Sequence, residues 1–516
     1  MNALIRKEIR LLRPAWITAL LLAAWPAYLV RPLLIQEQGS ALAFWLGSLV
    51  LGLTSFGKEF NAGTFSLLLA QPTPRRRIWR VKVSLLAIAF ASVFVVWWLS
   101  WLLRLAGAPM NKELWMGLQI GGLLALGSFS GGLWTTLLFR QVAAAFWFTL
   151  LIPAALMFSV SMLLEKHADS FMIMVLYAVL GIYAIAGFWW ARRLFLRAQD
   201  AQWTGGTIVL PAWLGVGPAI RPAVGVPKHK PLRALIWKEI HSHHVSLLIA
   251  GVLLLLHSAA IAIRSAESGP SQPNNILHMI LEFWWALWLA LPLVIGSSAV
   301  AEERKLGTLE SQLCQPTTRR TQLAIKLAVA LLLGTFLGGF MPWLLESAGT
   351  RIGVANAIAS VRSSVEFFSQ PLVITGLASA WITVVSLYAS TLTRNTLQAM
   401  GAALVVGLTL TGIVGWAIDA TPRDGGLPWG MPLVGWIGLP TLLATLFWLS
   451  FKNYKHLHVG WNIWLRNLLT ILVSVAFAAT ATGTIYKRPW EGLMTLEPRH
   501  GTVQLSGPVR PKIRIV

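Results

Sequence analysis

The sequence has little charge and almost no cysteine, and each shortage removes a class of protein. Of 516 residues, 12% are charged and 56% hydrophobic, with a mean hydropathy of +0.66. Soluble globular domains carry about 25% charged residues, so that class is excluded. A single cysteine, Cys314, excludes an internal disulfide. Acidic residues are scarce, 19 against 42 Lys and Arg. The resulting net charge of +23 does not indicate a nucleic-acid partner, because the basic residues sit in short segments between apolar runs. The runs themselves hold almost no charge, whereas an ion-coupled transporter usually shows buried carboxylates. Glu282 and Glu346 fall near the ends of runs and are expected to reach the interface. No catalytic Ser/His/Asp set or metal-ligand set stands out. His241 and His244 could share a helix face as ligands, but nothing in the sequence completes a site.

The sequence is rich in apolar runs long enough to cross a membrane. About 20 helical residues span a ~30 Å hydrocarbon core, and the backbone must satisfy its own hydrogen bonds there, so the spans are helices. The first six are expected at 14–30, 41–57, 83–103, 114–139, 142–164 and 170–191. Six more follow near 245–263, 280–301, 327–346, 369–393, 399–418 and 431–451. The uncharged stretch Asn467–Tyr486 predicts a thirteenth, with a tail that alternates like strands at 502–505 and 513–516. Tryptophan pairs such as Trp97-Trp98, Trp189-Trp190 and Trp284-Trp285 fall near span ends, where an aromatic belt would lie.

The chain repeats itself. ALIRKEI at 3–9 recurs as ALIWKEI at 234–240, each ahead of an apolar run. An internal copy cannot be a cleaved signal, so the first is expected to be retained as well. Residues 2–13 predict a short amphipathic helix lying in the interface. Residues 57–82 and 301–326 agree at ten of twenty-six positions without a gap, among them Glu59/Glu303, Gly63/Gly307, Thr64/Thr308, Pro72/Pro316, Arg75/Arg319, Arg76/Arg320 and Lys82/Lys326. Arg140 and Arg394 match in a turn between the fourth and fifth spans of each half. Six spans per half give parallel repeats. The expected units are 1–198, a Pro/Gly-rich linker 199–231, 232–463, and an added span and tail 464–516. Segments assigned to the cytoplasmic side hold 28 of the 42 Lys and Arg, which predicts a cytoplasmic N-terminus in a plasma (inner) membrane.

Each twin loop is expected to form a short helix over Glu59–Ala70 or its counterpart, stopping before Pro72, with a basic patch after it. A loop that only sets topology needs positive charge alone. It does not need matched Glu, Gly-Thr, Pro and Arg-Arg. Gly52–Glu59 nearly spells a phosphate loop, but Glu59 stands where Ser or Thr would hold magnesium, and Gly52 lies inside an apolar span.

Glu, Gly-Thr, Leu, Pro, Arg and Lys after the second span resemble the permease subunits of type-2 ABC exporters. The resemblance covers about residues 1–460. It implies an all-α polytopic membrane fold and no catalysis by this chain. It implies a separate ABC ATPase, expected in two copies, that uses ATP and magnesium. It makes Glu59, Gly63, Thr64, Pro72, Arg75 and Arg76, with Glu303, Gly307, Thr308, Pro316, Arg319 and Arg320, a coupling surface. Arg140 and Arg394 are candidates for gating or for topology alone. The chain departs from the family pattern in fusing two six-span units and adding a span. An ion-coupled secondary transporter, or a scaffold acting through the last span and tail, are the other classes.

Overall fold

The computed structural model describes residues 3–24, 36–104, 112–164, 169–198, 231–267, 284–314, 317–354, 371–419, 437–456 and 460–487. Among them the regular structure is helical, without a strand, and ten helices are long and apolar enough to cross a membrane. The chain is an all-helical, multi-pass membrane protein. The linker at 200–230 and the tail with its expected strands lie outside the described residues.

The first half runs α1 (Ala3–Ala23), α2 (Gln36–Asn61), the short α3 (Phe65–Leu69), α4 (Arg75–Arg104), α5 (Lys112–Phe139), α6 (Val142–Leu163) and α7 (Asp169–Arg197). The second runs α8 (Pro231–Ser242), α9 (His244–Glu267), a 3-10 turn at Trp284–Leu289 leading into α10 (Ala290–Leu306), and the short α11 (Thr308–Leu313). Then come α12 (Arg319–Thr335), a π-turn at Phe336–Phe340, α13 (Met341–Arg351), α14 (Pro371–Leu392), α15 (Thr396–Asp419), α16 (Leu439–Tyr454) and the added α17 (Trp461–Lys487).

The entry helices differ from expectation and from each other. The predicted interfacial helix and first span form one continuous helix, α1, with Pro14 inside it. Thr18, one turn on, donates its hydroxyl to the Pro14 carbonyl at 3.0 Å. In the second half the same passage breaks at His243 into α8 and α9.

Close helix crossings place the loops. A Cβ on Gly52 would meet the Ser128 carbonyl oxygen at 2.5 Å, and one on Gly132 would meet the Gly52 carbonyl carbon at 2.6 Å. The first residue of the false phosphate loop is therefore a packing contact between α2 and α5, of the small-residue kind that lets membrane helices approach. At offsets of 244 and 254 residues the counterparts, Gly296 and Ser386, also meet, in the crossing of α10 and α14. The two halves touch through α15 against α1 and α2, and through α9 against α6. Asn453 anchors α17, its side-chain oxygen accepting from Arg466 at 3.2 Å and Asn467 at 3.3 Å.

The tryptophans divide. Trp189 and Trp190 are exposed, as a belt requires, but Trp97 and Trp284 are buried, Trp97 stacked on Phe44 at 4.1 Å.

Candidate functional site

Glycine sets the shape of each twin loop. Gly63 has φ +64° and Gly307 has φ +70°, a left-handed conformation that ends a helix without the penalty a Cβ would bring. α2 therefore runs through Glu59 and stops, and a separate turn of helix begins after Thr64. The expected single helix over Glu59–Ala70 is corrected to this helix–glycine–helix corner. The Thr64 amide donates to the Glu59 carbonyl at 3.0 Å, and its hydroxyl to the Glu59 carboxylate at 2.5 Å. The matched Gly-Thr thus has a purely local reason. After the corner, α4 starts at Arg75, and α12 starts at Arg319 with Thr318 accepting from the Thr321 amide.

The matched charges meet inside the protein. Lys82 Nζ lies 2.8 Å from Glu8 and 3.3 Å from Glu59, and Lys7 reaches Glu59 at 3.1 Å. Lys82 also donates to the Ser55 carbonyl at 3.3 Å. In the second half Lys326 lies 2.8 Å from both Glu239 and Glu303, Lys238 reaches Glu303 at 2.9 Å, and Lys326 donates to the Ala299 carbonyl at 3.2 Å. Every member of one network has its counterpart in the other, and each network pairs two cations with two anions. Lys82, Glu8, Glu59, Lys326 and Glu239 are buried. Such a group persists where charges neutralise one another, since an isolated buried charge is very costly.

This revises the expected coupling surface. Glu59 is buried and Glu303 half-buried, so they fasten the loop to α1 or α8 and to the next span and do not lie on an open face. Gly63, Pro72, Arg76, Gly307, Thr308, Arg319 and Arg320 are exposed, and Thr64 is half-buried. Pro316 lies outside the described residues. Arg75 is half-buried and donates to the Leu196 and Ala198 carbonyls at the end of α7, at 3.2 and 2.8 Å. Sequence reasoning missed Lys7, Glu8, Lys238 and Glu239. The available signal was the Lys-Glu pair repeated inside ALIRKEI and ALIWKEI.

A second layer holds each short helix from below. Phe56, Phe65, Trp79 and Phe195 cluster under α3, with Phe195 5.3 Å from Phe56 and 5.6 Å from Trp79. Under α11, Val300, Leu309, Leu323 and Tyr454 form the counterpart cluster. Arg140, in a turn with φ +53°, places its guanidinium over the Phe65 ring at 6.0 Å. Arg394 is exposed in the equivalent turn, where its amide faces the Gln398 side chain at 3.4 Å. The exposed edges of the loops carry Leu67 on one and Leu306 on the other, beside the basic residues.

His241 and His244 stack at 5.6 Å. His243 is buried, and burial, reinforced by Lys326, pushes its imidazole down to about 4, which leaves it neutral near pH 7.

A different buried cluster occupies the far end of the second half. Glu346, expected at the interface, is buried, with His257 Nε2 at 2.9 Å and Arg264 at 2.5 Å. The Trp288 indole donates to His257 Nδ1 at 3.0 Å. An indole can only donate, so Nδ1 carries a lone pair and the proton sits on Nε2, directed at Glu346. The correction has a physical reason: α9 and α13 face each other, so each polar residue finds its partner across the bundle.

Comparison with protein-family models, curated proteins and solved structures returns no match.

Proposed function

We propose that this chain is the membrane subunit of an ATP-driven exporter of the type-2 ABC kind, coupled through its twin loops to separate ATPase subunits on the cytoplasmic side of a plasma membrane. One observation carries the reading. A short helix projects from the bundle at the same place in each half, and a neutral buried ion network straps it to the entry helix and to two spans. A push on α3 is therefore transmitted to α1, α2 and α4 together, and a push on α11 to α8, α10 and α12. α1 and α2 both touch α15 of the other half, so movement at the loops reaches the junction between repeats. The exposed Arg76, Arg319 and Arg320, with Leu67 and Leu306, offer a basic rim around an apolar point of contact. ATP and magnesium belong to the partner on this reading, and the chain itself performs no chemistry.

A proton-coupled transporter is the second reading, favoured by the buried Glu346. Against it, Arg264 and His257 already engage that carboxylate.

The test is stoichiometry. The chain is co-expressed with a candidate ABC ATPase chosen from the genes adjoining its own, and the subunits are counted by native mass spectrometry. One chain with two ATPases is expected. Arg76→Glu with Arg77→Glu should leave one, Arg319→Glu with Arg320→Glu should leave one, and the combination none, because charge reversal at a contact adds repulsion. Arg75 is left intact because it caps α7. ATP turnover by the chain alone, or full retention in the four-residue variant, would overturn the proposal.

A further inference from the structure

A cavity of about 450 Å³ opens at the junction of the two halves, near the loop end of the bundle. Its walls come from α1, α2, the turn between α14 and α15, α15 itself, and Trp464 of α17. Two cations line it, Lys58 and Arg394, with no carboxylate among the described lining residues. Lys58 is largely buried and donates to the Leu11 carbonyl. An ammonium carries three donors, so that carbonyl takes one of them. Thr54, Thr393 and Gln398 add polar atoms at the same end.

The other end is apolar. Val50 precedes Lys58 by eight residues of α2, and Ala402 lies six residues beyond Thr396, the first residue of α15, so at 1.5 Å per residue they lie about 12 Å and about 9 Å deeper in the bundle. Gly401 floors this deeper part: a Cβ there would meet Thr18 at 3.4 Å and Val50 at 3.6 Å. A charged mouth over an apolar throat matches an anionic headgroup on a hydrocarbon chain.

The pairing of cations is one-sided. Offsets of 244 and 254 residues place Glu302 and Arg140 where this cavity has Lys58 and Arg394. The equivalent positions of the other half therefore hold one charge of each sign, and among the described residues this repeat-related pair of cations occurs once.

We propose that this cavity binds one anionic phospholipid from the leaflet at the loop end, its phosphate held by Lys58 and Arg394 and its acyl chain lying along Val50, Gly401 and Trp464. The site rests on the chain's place in a membrane and does not depend on an ATPase partner. A lipid wedged there joins α2 of one half to α15 of the other.

The test uses the full chain alone, purified in neutral detergent, so that its failure is separate from failure of the exporter reading. Native mass spectrometry with added dioleoyl phosphatidylglycerol should retain one lipid per chain, about tenfold more tightly than dioleoyl phosphatidylcholine, whose phosphate is the same but whose quaternary ammonium adds like-charge repulsion beside Lys58 and Arg394. Arg394→Gln should lower that retention about tenfold, as should Lys58→Gln. Gly401→Leu, which fills the throat and leaves both cations, should also abolish retention. Inorganic phosphate at millimolar concentration should fail to compete. Should Lys58→Gln not fold, the exposed Arg394→Gln still decides the matter. Equal retention of the two lipids, displacement by phosphate alone, or an unaltered Arg394→Gln variant would each overturn the proposal.

Discussion

Beneath the first loop the filling is aromatic, and beneath the second it is aliphatic with two buried amides. Phe56, Phe65, Trp79 and Phe195 are replaced position for position by Val300, Leu309, Leu323 and Tyr454. Leu68 and Ile78 become Gln312 and Gln322. An arginine secures the end of the last span of each repeat from different places: Arg75 reaches carbonyls at the end of α7, whereas Arg304 reaches Thr391, Thr393 and His456, closing the ends of α14 and α16. At the far end, Phe44 on Trp97 in the first half corresponds to Trp288 on the His257–Glu346 pair in the second. Amid these exchanges the four-charge network and the left-handed glycine are repeated without change. The difference teaches which features the loop geometry needs and which only fill volume.

The largest expected effect comes from breaking what the halves share. Lys82→Met leaves Glu8 and Glu59 buried against Lys7 alone, and removing one partner of a buried charge group costs about 3–5 kcal/mol. Thermal unfolding in detergent should show a large loss. Lys326→Met should lose less, because the Glu303 side chain keeps 13% of its exposure and Lys238 reaches it. Unchanged unfolding of Lys82→Met would show that the repeated network is not what fastens the loop.

A middle-sized effect should be confined to the second half. Glu346→Gln weakens charged hydrogen bonds from Arg264 and His257, worth about 1.5–3 kcal/mol. The equivalent position at an offset of 244 is Leu102, and Leu102→Gln should cost less than 1 kcal/mol, in the range of ordinary surface changes, if the first half needs no polar group there. Comparable losses in both variants, measured by the same unfolding, would mean that the asymmetry between the far ends is cosmetic.

Much of this was legible in the sequence. Uniform apolar runs specify helices in a membrane because nothing else satisfies the backbone there: ten of the thirteen expected spans lie on helices long and apolar enough to cross it, and the other three are helical where they are described. Gly63, Gly307 and the matched glutamates and lysines stood out because a copied loop beside loosely copied spans is conspicuous. Their purpose did not stand out, because Glu8 and Lys82 are 74 residues apart and only the packing of α1 against α4 brings them together. Glu346 misled for a related reason. Its place near the end of a run suggests water, yet a charge may equally be neutralised across the bundle, and His257 and Arg264 belong to another helix. The expected boundary between an interfacial helix at 2–13 and a span from 14 is absent, because the packed bundle carries one helix through Pro14.

The smallest effect sharpens the comparison most, because it asks whether one half can wear the other's filling. Gln322 donates to the Gln312 carbonyl at 2.9 Å and accepts from the Tyr454 hydroxyl at 3.3 Å. The Gln312 side chain itself is buried with neither polar atom hydrogen-bonded among the described residues. Replacing it by the leucine of the first half, Gln312→Leu, should stabilise by about 1 kcal/mol, since burying an amide without partners is unfavourable. Gln322→Ile alone should destabilise by about 1–3 kcal/mol, because the Tyr454 hydroxyl and the Gln312 carbonyl lose their partner inside the protein. Adding Tyr454→Phe and Gln312→Leu to it reproduces Leu68, Ile78 and Phe195 of the first half and removes the orphaned Tyr454 hydroxyl and the unpaired Gln312 side-chain amide, leaving only the Gln312 backbone carbonyl. That triple variant should recover most of the loss, as contacting residues in one network are not additive. Unfolding midpoints of the three single variants, Gln312→Leu, Gln322→Ile and Tyr454→Phe, and of the triple, measured in one detergent, give the coupling directly. A triple variant no better than Gln322→Ile would mean that the two fillings are tuned to different backbones, and that the halves share only the charges above them.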